Sequence, residues 1–165
     1  MTLKRSFPPV VDANTRLLIC GSLPGDRSLA ARRYYAHPQN QFWRLLSPVA
    51  GVDLPALDYD ERLAALLAAR IGLWDVVAHA TRPGSSDAAI RDHAANDLPA
   101  LAATLPDLRA IAFNGGTAAK IGMRQIRSAG AEMVLIALPS SSPLYTIGIG
   151  MKQSAWSALT DFLRE

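Results

Sequence analysis

The chain has 165 residues, of which half are hydrophobic and 19% are charged. This length suits one compact domain, and the composition excludes a disordered or collagen-like chain. A single cysteine, Cys20, excludes a disulfide framework and any zinc or iron–sulfur site built from several thiolates. With neither a signal-peptide pattern nor a long apolar run, we expect a single cytoplasmic domain without a membrane segment.

The net charge of +3 is unevenly distributed along the chain. Residues 1–50 carry seven basic and two acidic groups, residues 51–118 carry five and nine, and residues 119–165 carry five and three. On charge alone, a chance asymmetry of a solvated surface is the simpler interpretation. The alternative is that both basic ends form one cationic face that attracts a polyanion such as nucleic acid.

Alternating strand and helix patterns predict an α/β fold. The pattern 16–20 predicts a first strand, and 21–40 follows it as a long loop without helical period. Helical spacing then predicts helices at 41–49 and 58–69, before a second strand at 71–77 and a polar loop at 79–92. The remaining predictions are a helix at 98–105, a strand at 109–113, a helix through Ile121, a strand at 132–138 and a last amphipathic helix carrying Trp156 to Leu163. Nearly continuous apolar strands predict a parallel sheet covered on both faces, in a three-layer α/β/α arrangement.

The loops that follow the predicted strands indicate where a ligand binds. Parallel α/β sheets bind ligands beyond the carboxyl ends of their strands. The four loops at that edge are 21–40, 78–93, 114–117 and 139–146, and all of them are rich in Gly, Pro, Ser, Asn or His. The topology therefore predicts a site there. A phosphate-binding P-loop and a GxGxxG motif are both missing from the sequence, which argues against a nucleotide cofactor.

Individual residues in these loops allow two interpretations each. Tyr35 could stack on a flat base or pack the loop, and Asn40 is by default a helix cap. Asn114 could offer its amide to a base edge or form a turn. The run Ser140–Ser142 lacks the G-x-S-x-G elbow of a serine nucleophile and suits phosphate binding better. The three histidines show no zinc-ligand spacing.

Four motifs together resemble the uracil-DNA glycosylase superfamily, most closely its DNA-deoxyinosine (hypoxanthine-DNA) glycosylases and its mismatch-specific branch. LICGSLPG at 18–25 is similar to a strand followed by the first motif, G-I-N-P-G. YYAHPQNQFW at 34–43 matches A-H-P-x-N-x-F-W almost residue for residue. FNG at 113–115 and LPSSSP at 138–143 resemble the third strand's end and the second motif, and the segment 75–83 ends in the family's R-P.

The resemblance implies a four-stranded parallel sheet of order 2-1-3-4 and a monofunctional enzyme that flips a deaminated base from double-stranded DNA and hydrolyses its N-glycosidic bond. No metal or other cofactor is expected, and the protein is expected to act as a monomer. Gly25 would approach the base through its backbone and Tyr35 would stack on it. The other residues implied at the base are Ser22, Leu23, His37 and Asn114. Ser140, Ser141 and Ser142 would hold DNA phosphates, and Leu144 would be a wedge into the base stack.

Two departures from the family pattern bear on specificity. Leu23 stands where mismatch-specific enzymes have an Asn that handles the attacking water, and Leu138 stands where uracil-type enzymes have a His. The same loss marks the hypoxanthine-specific branch, in which the Asn of the long segment is the implied catalytic residue; here it is Asn40. The alternatives left open are a G:U/G:T mismatch-specific uracil/thymine glycosylase and a non-catalytic DNA- or nucleotide-binding module. Because the basic ends carry the two motifs, the resemblance also favours a cationic DNA face.

Overall fold

The computed structural model describes residues 3–164, and for Asp92 it describes the backbone alone. Seven strands are present in this part of the chain: β1 (Leu3–Arg5), β2 (Leu17–Gly21), β3 (Ile71–Asp75), β4 (Val77–Thr81), β5 (Arg91–Ala95), β6 (Ala110–Asn114) and β7 (Val134–Leu138). The helices are α1 (Asp26–Ala31), α2 (Phe42–Ala50), α3 (Tyr59–Ala68), α4 (Leu98–Ala103), α5 (Gly116–Ser128) and α6 (Ile149–Ser157). Three short 3-10 helices cover Leu54–Ala56, Asp87–Ala89 and Ala158–Phe162.

The central sheet consists of four strands in the order β3-β2-β6-β7, each paired in parallel with its neighbours. These are the four strands predicted from the apolar segments, and their order along the sheet is the predicted 2-1-3-4. The prediction of a parallel sheet is therefore confirmed. The second strand is shorter than expected, because the ladder with β2 ends at Asp75 rather than continuing to Val77.

Side-chain alternation along β2 builds the core on both faces of this sheet. Leu17 and Ile19 belong to a cluster that includes buried residues of α2 and Trp156 of α6. Leu18 and Cys20 belong to a second cluster that includes buried residues of α4 and α5. Successive residues of a strand point to opposite faces, so a strand with no exposed residue needs a helical layer on each side. The three-layer α/β/α prediction is confirmed.

Two segments predicted as loops contain regular structure. The segment 79–92 holds most of β4 and the start of β5, which form a separate antiparallel sheet of order β1-β4-β5. The segment 21–40 contains the six-residue helix α1. Both corrections have a physical reason: β4 pairs with β1 some 78 positions away, Leu3 opposite Thr81, and a six-residue helix is too short to display a period.

The carboxyl ends of the central strands lie together and place four polar or irregular segments at one edge. β2 ends at Gly21, β3 at Asp75, β6 at Asn114 and β7 at Leu138 just before the serine run. This is the edge at which the sequence predicts a site. Among the helices of residues 3–164, none has the length and apolar character needed to cross a membrane.

Candidate functional site

A cavity of about 480 Å³ opens at the carboxyl ends of the central strands. Its volume lies within the range of small-molecule sites, roughly 300–1,000 Å³. The structure brings every residue implied by the resemblance to its wall. These residues are Ser22, Leu23, Gly25, Tyr35, His37, Asn40, Asn114, Ser140, Ser141, Ser142 and Leu144.

Asn40 lies in the cavity wall immediately before α2, with one end of its side chain fixed. Its Oδ1 atom accepts a hydrogen bond from the Phe42 backbone amide at 3.0 Å and another from the Ser141 hydroxyl at 2.8 Å. The first bond closes a local turn just before the helix, but the N-cap of α2 is Gln41, so the interpretation of Asn40 as the helix cap is wrong. Together the two bonds determine which end of the amide is oxygen. The Nδ2 group has no hydrogen-bond partner within residues 3–164, so it can donate to a ligand.

Asn114 and Ser141 form a two-way clamp behind Asn40. Asn114 Nδ2 donates to Ser141 Oγ at 2.8 Å, and the Ser141 amide donates to Asn114 Oδ1 at the same distance. Both residues are buried. Ser141 Oγ also donates to Asn40, so one chain of hydrogen bonds joins the end of β6, the serine loop (residues 139–146) and the start of α2. The structure thus uses the Asn114 amide to position Ser141.

A buried lysine of α6 forms hydrogen bonds that hold the serine loop in place. Lys152 is 1% exposed, and its Nζ donates to Gln41 Oε1 at 2.8 Å and to the Ser142 carbonyl at 3.0 Å. Burial lowers the pKa of this lysine, and the two acceptors compensate part of the desolvation of its charge. Lys152 was not predictable from the sequence, because a single lysine in an amphipathic helix has no distinguishing pattern.

Tyr35 contributes one face and one polar atom to the cavity. Its ring stacks on Phe42 with centroids 3.7 Å apart and an interplanar angle of 10°, so one of its two faces is covered. A φ of 53° places Tyr35 in the left-handed region, and its carbonyl accepts a hydrogen bond from the Trp43 indole at 3.2 Å. The hydroxyl is buried without a partner in the described chain, and burial raises its pKa.

A buried arginine holds the first-motif loop, residues 21–25. Arg82 is 1% exposed, and its guanidinium donates to the carbonyls of Leu23 and Pro24 at 3.4 Å and 2.5 Å. The Ser22 hydroxyl donates to Asp87 at 2.5 Å, and Asp87 lies 3.9 Å from Arg82. Leu23 itself is only 6% exposed and packs in the second core cluster. A carbonyl-anchored loop of this kind has a fixed backbone, which suits close approach to a ligand.

The serine loop ends in exposed apolar side chains at the cavity rim. Within the loop, the Ser142 amide donates to Ser140 Oγ at 3.1 Å and the Leu144 amide donates to Ser142 Oγ at 3.2 Å. Leu144 is 76% exposed and Tyr145 is 46% exposed. His37 lies on the opposite loop, where its Nδ1 accepts from the Gln39 amide at 3.1 Å. An exposed leucine at the rim of a polar cavity is available for contact with a partner.

Asp75 also lines the cavity, and sequence reasoning missed it because it was assigned to a strand. The residue is 3% exposed and stands at the last position of β3. Burial first, and the nearby Asp87 second, raise the pKa of its carboxyl to about 7, although Arg82 opposes the rise. The only sequence feature that could have drawn attention to Asp75 is that it is the one acidic residue in the apolar segment 71–77. No three His, Cys, Asp or Glu side chains converge as metal ligands in the described part of the chain.

Comparison with known proteins agrees with this geometry. The family model described as the uracil DNA glycosylase superfamily matches residues 8–160. The chain belongs to this superfamily. A hypoxanthine DNA glycosylase of Methanosarcina barkeri is 41% identical over 156 residues, covering 93% of this chain and 96% of the relative. One of Methanosarcina acetivorans is 41% identical over 157 residues, covering 95% and 98%.

A solved structure has the same fold as this chain. A solution NMR structure from Methanosarcina acetivorans, described as a candidate uracil DNA glycosylase, superposes with a TM-score of 0.87 at 39% identity. It covers 99% of this chain and 100% of its own. The superfamily assignment made from the four motifs is thus confirmed, as is the uracil-DNA glycosylase-like fold.

Proposed function

We propose that the protein is a DNA glycosylase that flips hypoxanthine out of double-stranded DNA and hydrolyses its bond to deoxyribose. The superfamily and the two relatives named hypoxanthine DNA glycosylase support this proposal. The observation that carries it is the arrangement of Asn40. Its oxygen is held by two hydrogen bonds and its Nδ2 donor is unused at the cavity wall. We further propose that residues 1–165 form one domain, which acts as a monomer in the cytoplasm.

The reaction requires stabilisation of a departing base and access for water. Cleavage passes through an oxocarbenium-like state in which negative charge develops on the base. Asn40 stays neutral at every working pH, and its fixed Nδ2 can donate either to the attacking water or to the leaving hypoxanthine. Leu23, at the position of the usual water-handling Asn, is apolar and buried, so it provides neither function. Asn40 is therefore the proposed catalytic residue.

The base would lie between the first-motif loop and Tyr35. One face of the Tyr35 ring is occupied by Phe42, so a stacked base would use the other face. Gly25 would face the base with its backbone, since a β-carbon there would already lie 3.2 Å from Ser85 Oγ. Ser22 and His37 complete the wall. Base–aromatic stacking contributes roughly 1–3 kcal/mol, comparable to part of the cost of flipping.

The serine loop is the proposed contact with DNA. The amides and hydroxyls of Ser140, Ser141 and Ser142 suit phosphate oxygens, although Ser141 is buried and would act chiefly by shaping the loop. Leu144 is proposed to enter the gap left by the flipped base. The basic segments 1–50 and 119–165 would attract the duplex, and this attraction would weaken with salt.

The test uses labelled duplexes with one inosine, one uracil or one mismatched thymine, followed by alkali to break the strand at abasic sites. Breaks that are fastest at inosine support the proposal. Fastest breaks at uracil or thymine support instead the alternative of a mismatch-specific uracil/thymine glycosylase. Binding without breaks supports a non-catalytic module and overturns the proposed chemistry.

A further inference from the structure

Two buried polar atoms at the bottom of the cavity lack hydrogen-bond partners among the described residues. They are Oδ2 of Asp75 and the hydroxyl of Tyr35. Both side chains line the cavity and approach the same point above Gly21, where a β-carbon would lie 2.7 Å from Asp75 Oδ1 and 2.8 Å from the Tyr35 hydroxyl. Only glycine leaves this point open.

Unpaired buried polar atoms are costly, so their presence at a ligand site requires an explanation. By contrast, the carboxylate of Asp87, which also lines the cavity, accepts a hydrogen bond from the Ser22 hydroxyl at 2.5 Å. The Asp75 side chain receives no such bond, although its own backbone carbonyl accepts from Asn96 Nδ2 at 2.7 Å. The carboxyl is thus left free for a hydrogen-bond donor supplied by the ligand.

Deamination changes the pattern of donors and acceptors on a purine in a way a carboxylate can detect. Hypoxanthine carries a proton on N1 beside the O6 carbonyl, whereas adenine presents an N1 lone pair beside an amino group. A flipped base is read along this Watson–Crick edge. An ionised carboxylate only accepts hydrogen bonds, so it attracts the N1–H of hypoxanthine and repels the N1 lone pair of adenine.

We propose that Asp75 is the specificity-determining residue that accepts the N1–H of the flipped hypoxanthine. The inference rests on the proposed function and deepens it. Burial and Asp87 hold the pKa of this carboxyl at about 7, so at pH 8 most molecules carry the acceptor form. Asp75 takes part in no covalent step, and its role is distinct from that of Asn40.

The expected effect of removing the carboxylate follows from the strength of a charge-assisted hydrogen bond. Such a bond contributes about 1.5–3 kcal/mol, equivalent to a loss of roughly 10- to 150-fold when the acceptor is removed. Asp75→Asn keeps the shape of the side chain, and no hydrogen bond within residues 3–164 depends on the carboxyl. The variant is therefore expected to fold.

The experiment measures single-turnover excision at pH 8 from duplexes containing deoxyinosine or 1-methyl-deoxyinosine, in which a methyl group replaces the N1 proton. The wild type should cleave the inosine duplex roughly 10- to 150-fold faster than the methylated one. Asp75→Asn should lose roughly 10- to 150-fold on inosine. Asp75→Ala, which leaves room for the methyl group, should cleave both duplexes at similar rates. Asp107→Asn is the matched control, since Asp107 is exposed and outside the cavity wall.

The outcomes separate this inference from the proposed function. A wild type that does not cleave inosine refutes the proposed function, whatever the variants do. A wild type that cleaves inosine, together with an Asp75→Asn variant within threefold of it, overturns the role of Asp75. So does an Asp75→Ala variant that keeps the wild-type preference for inosine over its 1-methyl derivative, because the preference would then arise elsewhere.

Discussion

Asp75→Asn is predicted to make the protein more stable at alkaline pH while impairing its proposed reading of the base. The carboxyl has an ordinary pKa of 3.8 and a pKa of about 7 in the folded chain. The native state therefore binds this proton more tightly than the unfolded state. The free energy of unfolding falls as the pH rises from about 4 to 7, and the full penalty remains above pH 7.

The size of the penalty follows from the difference between the two pKa values. A difference of one in pKa corresponds to about 1.4 kcal/mol, so the ionised carboxyl costs on the order of 4 kcal/mol at pH 8. At pH 5 most of the native carboxyl is protonated and the cost is on the order of 2 kcal/mol. The stability gain of Asp75→Asn over the wild type should thus be about 2–3 kcal/mol larger at pH 8 than at pH 5.

Urea unfolding of both proteins at the two pH values measures this difference directly. The titratable groups that interact electrostatically with the carboxyl are Asp87, Arg82, Tyr35, Tyr34 and Cys20. Of these, Asp87 also has a raised pKa, caused first by burial, so the comparison must be between variant and wild type at each pH. Asp107→Asn should show no such pH-dependent gain. A gain of Asp75→Asn that is equal at pH 5 and pH 8, or a loss at pH 8, would refute the reasoning.

Two further predictions concern the serine loop. Leu144→Ala should weaken binding to an inosine duplex several-fold in fluorescence anisotropy, because an apolar wedge is lost. The free energy of unfolding should change by less than ~0.5 kcal/mol, because the side chain is exposed. Unchanged affinity would argue against the wedge. Lys152→Met should lower the rate of single-turnover excision at least ~10-fold and destabilise the fold by about 1–3 kcal/mol. The reason is that Gln41 and the Ser142 carbonyl lose a charged hydrogen-bond donor. Excision at the wild-type rate would show that Lys152 does not position the serine loop.

The sequence was informative where local pattern and final structure coincide. Short apolar runs at 16–20, 71–77, 109–113 and 132–138 predicted all four strands of the central sheet, and the long motif at 34–43 led to Asn40. The sheet β1-β4-β5 was not predictable in this way, because its pairings join Leu3–Arg5 to residues almost 80 positions away. Such strands have no local apolar alternation, and their formation depends on tertiary contacts.

The parts of the site that were missed share one property, which is burial of a charged group. Asp75, Arg82 and Lys152 are each at most 3% exposed, whereas charged residues are normally placed on the surface when a sequence is read. Their roles depend on neighbours from distant segments: Arg82 reaches the carbonyls of Leu23 and Pro24, some 60 positions away. Only the three-dimensional structure places these groups around one cavity.

The central claim is that the unused amide donor of Asn40 carries out the chemistry, and single-turnover excision from an inosine duplex by Asn40→Ala tests it most directly. Removing one donor that stabilises a developing charge typically lowers the rate by ~100- to 1,000-fold, so the variant should lose at least ~100-fold. Loss of the contacts to the Phe42 amide and the Ser141 hydroxyl should cost about 1–3 kcal/mol of stability. An Asn40→Ala variant that is folded, binds the duplex and excises hypoxanthine within threefold of the wild-type rate would contradict the account.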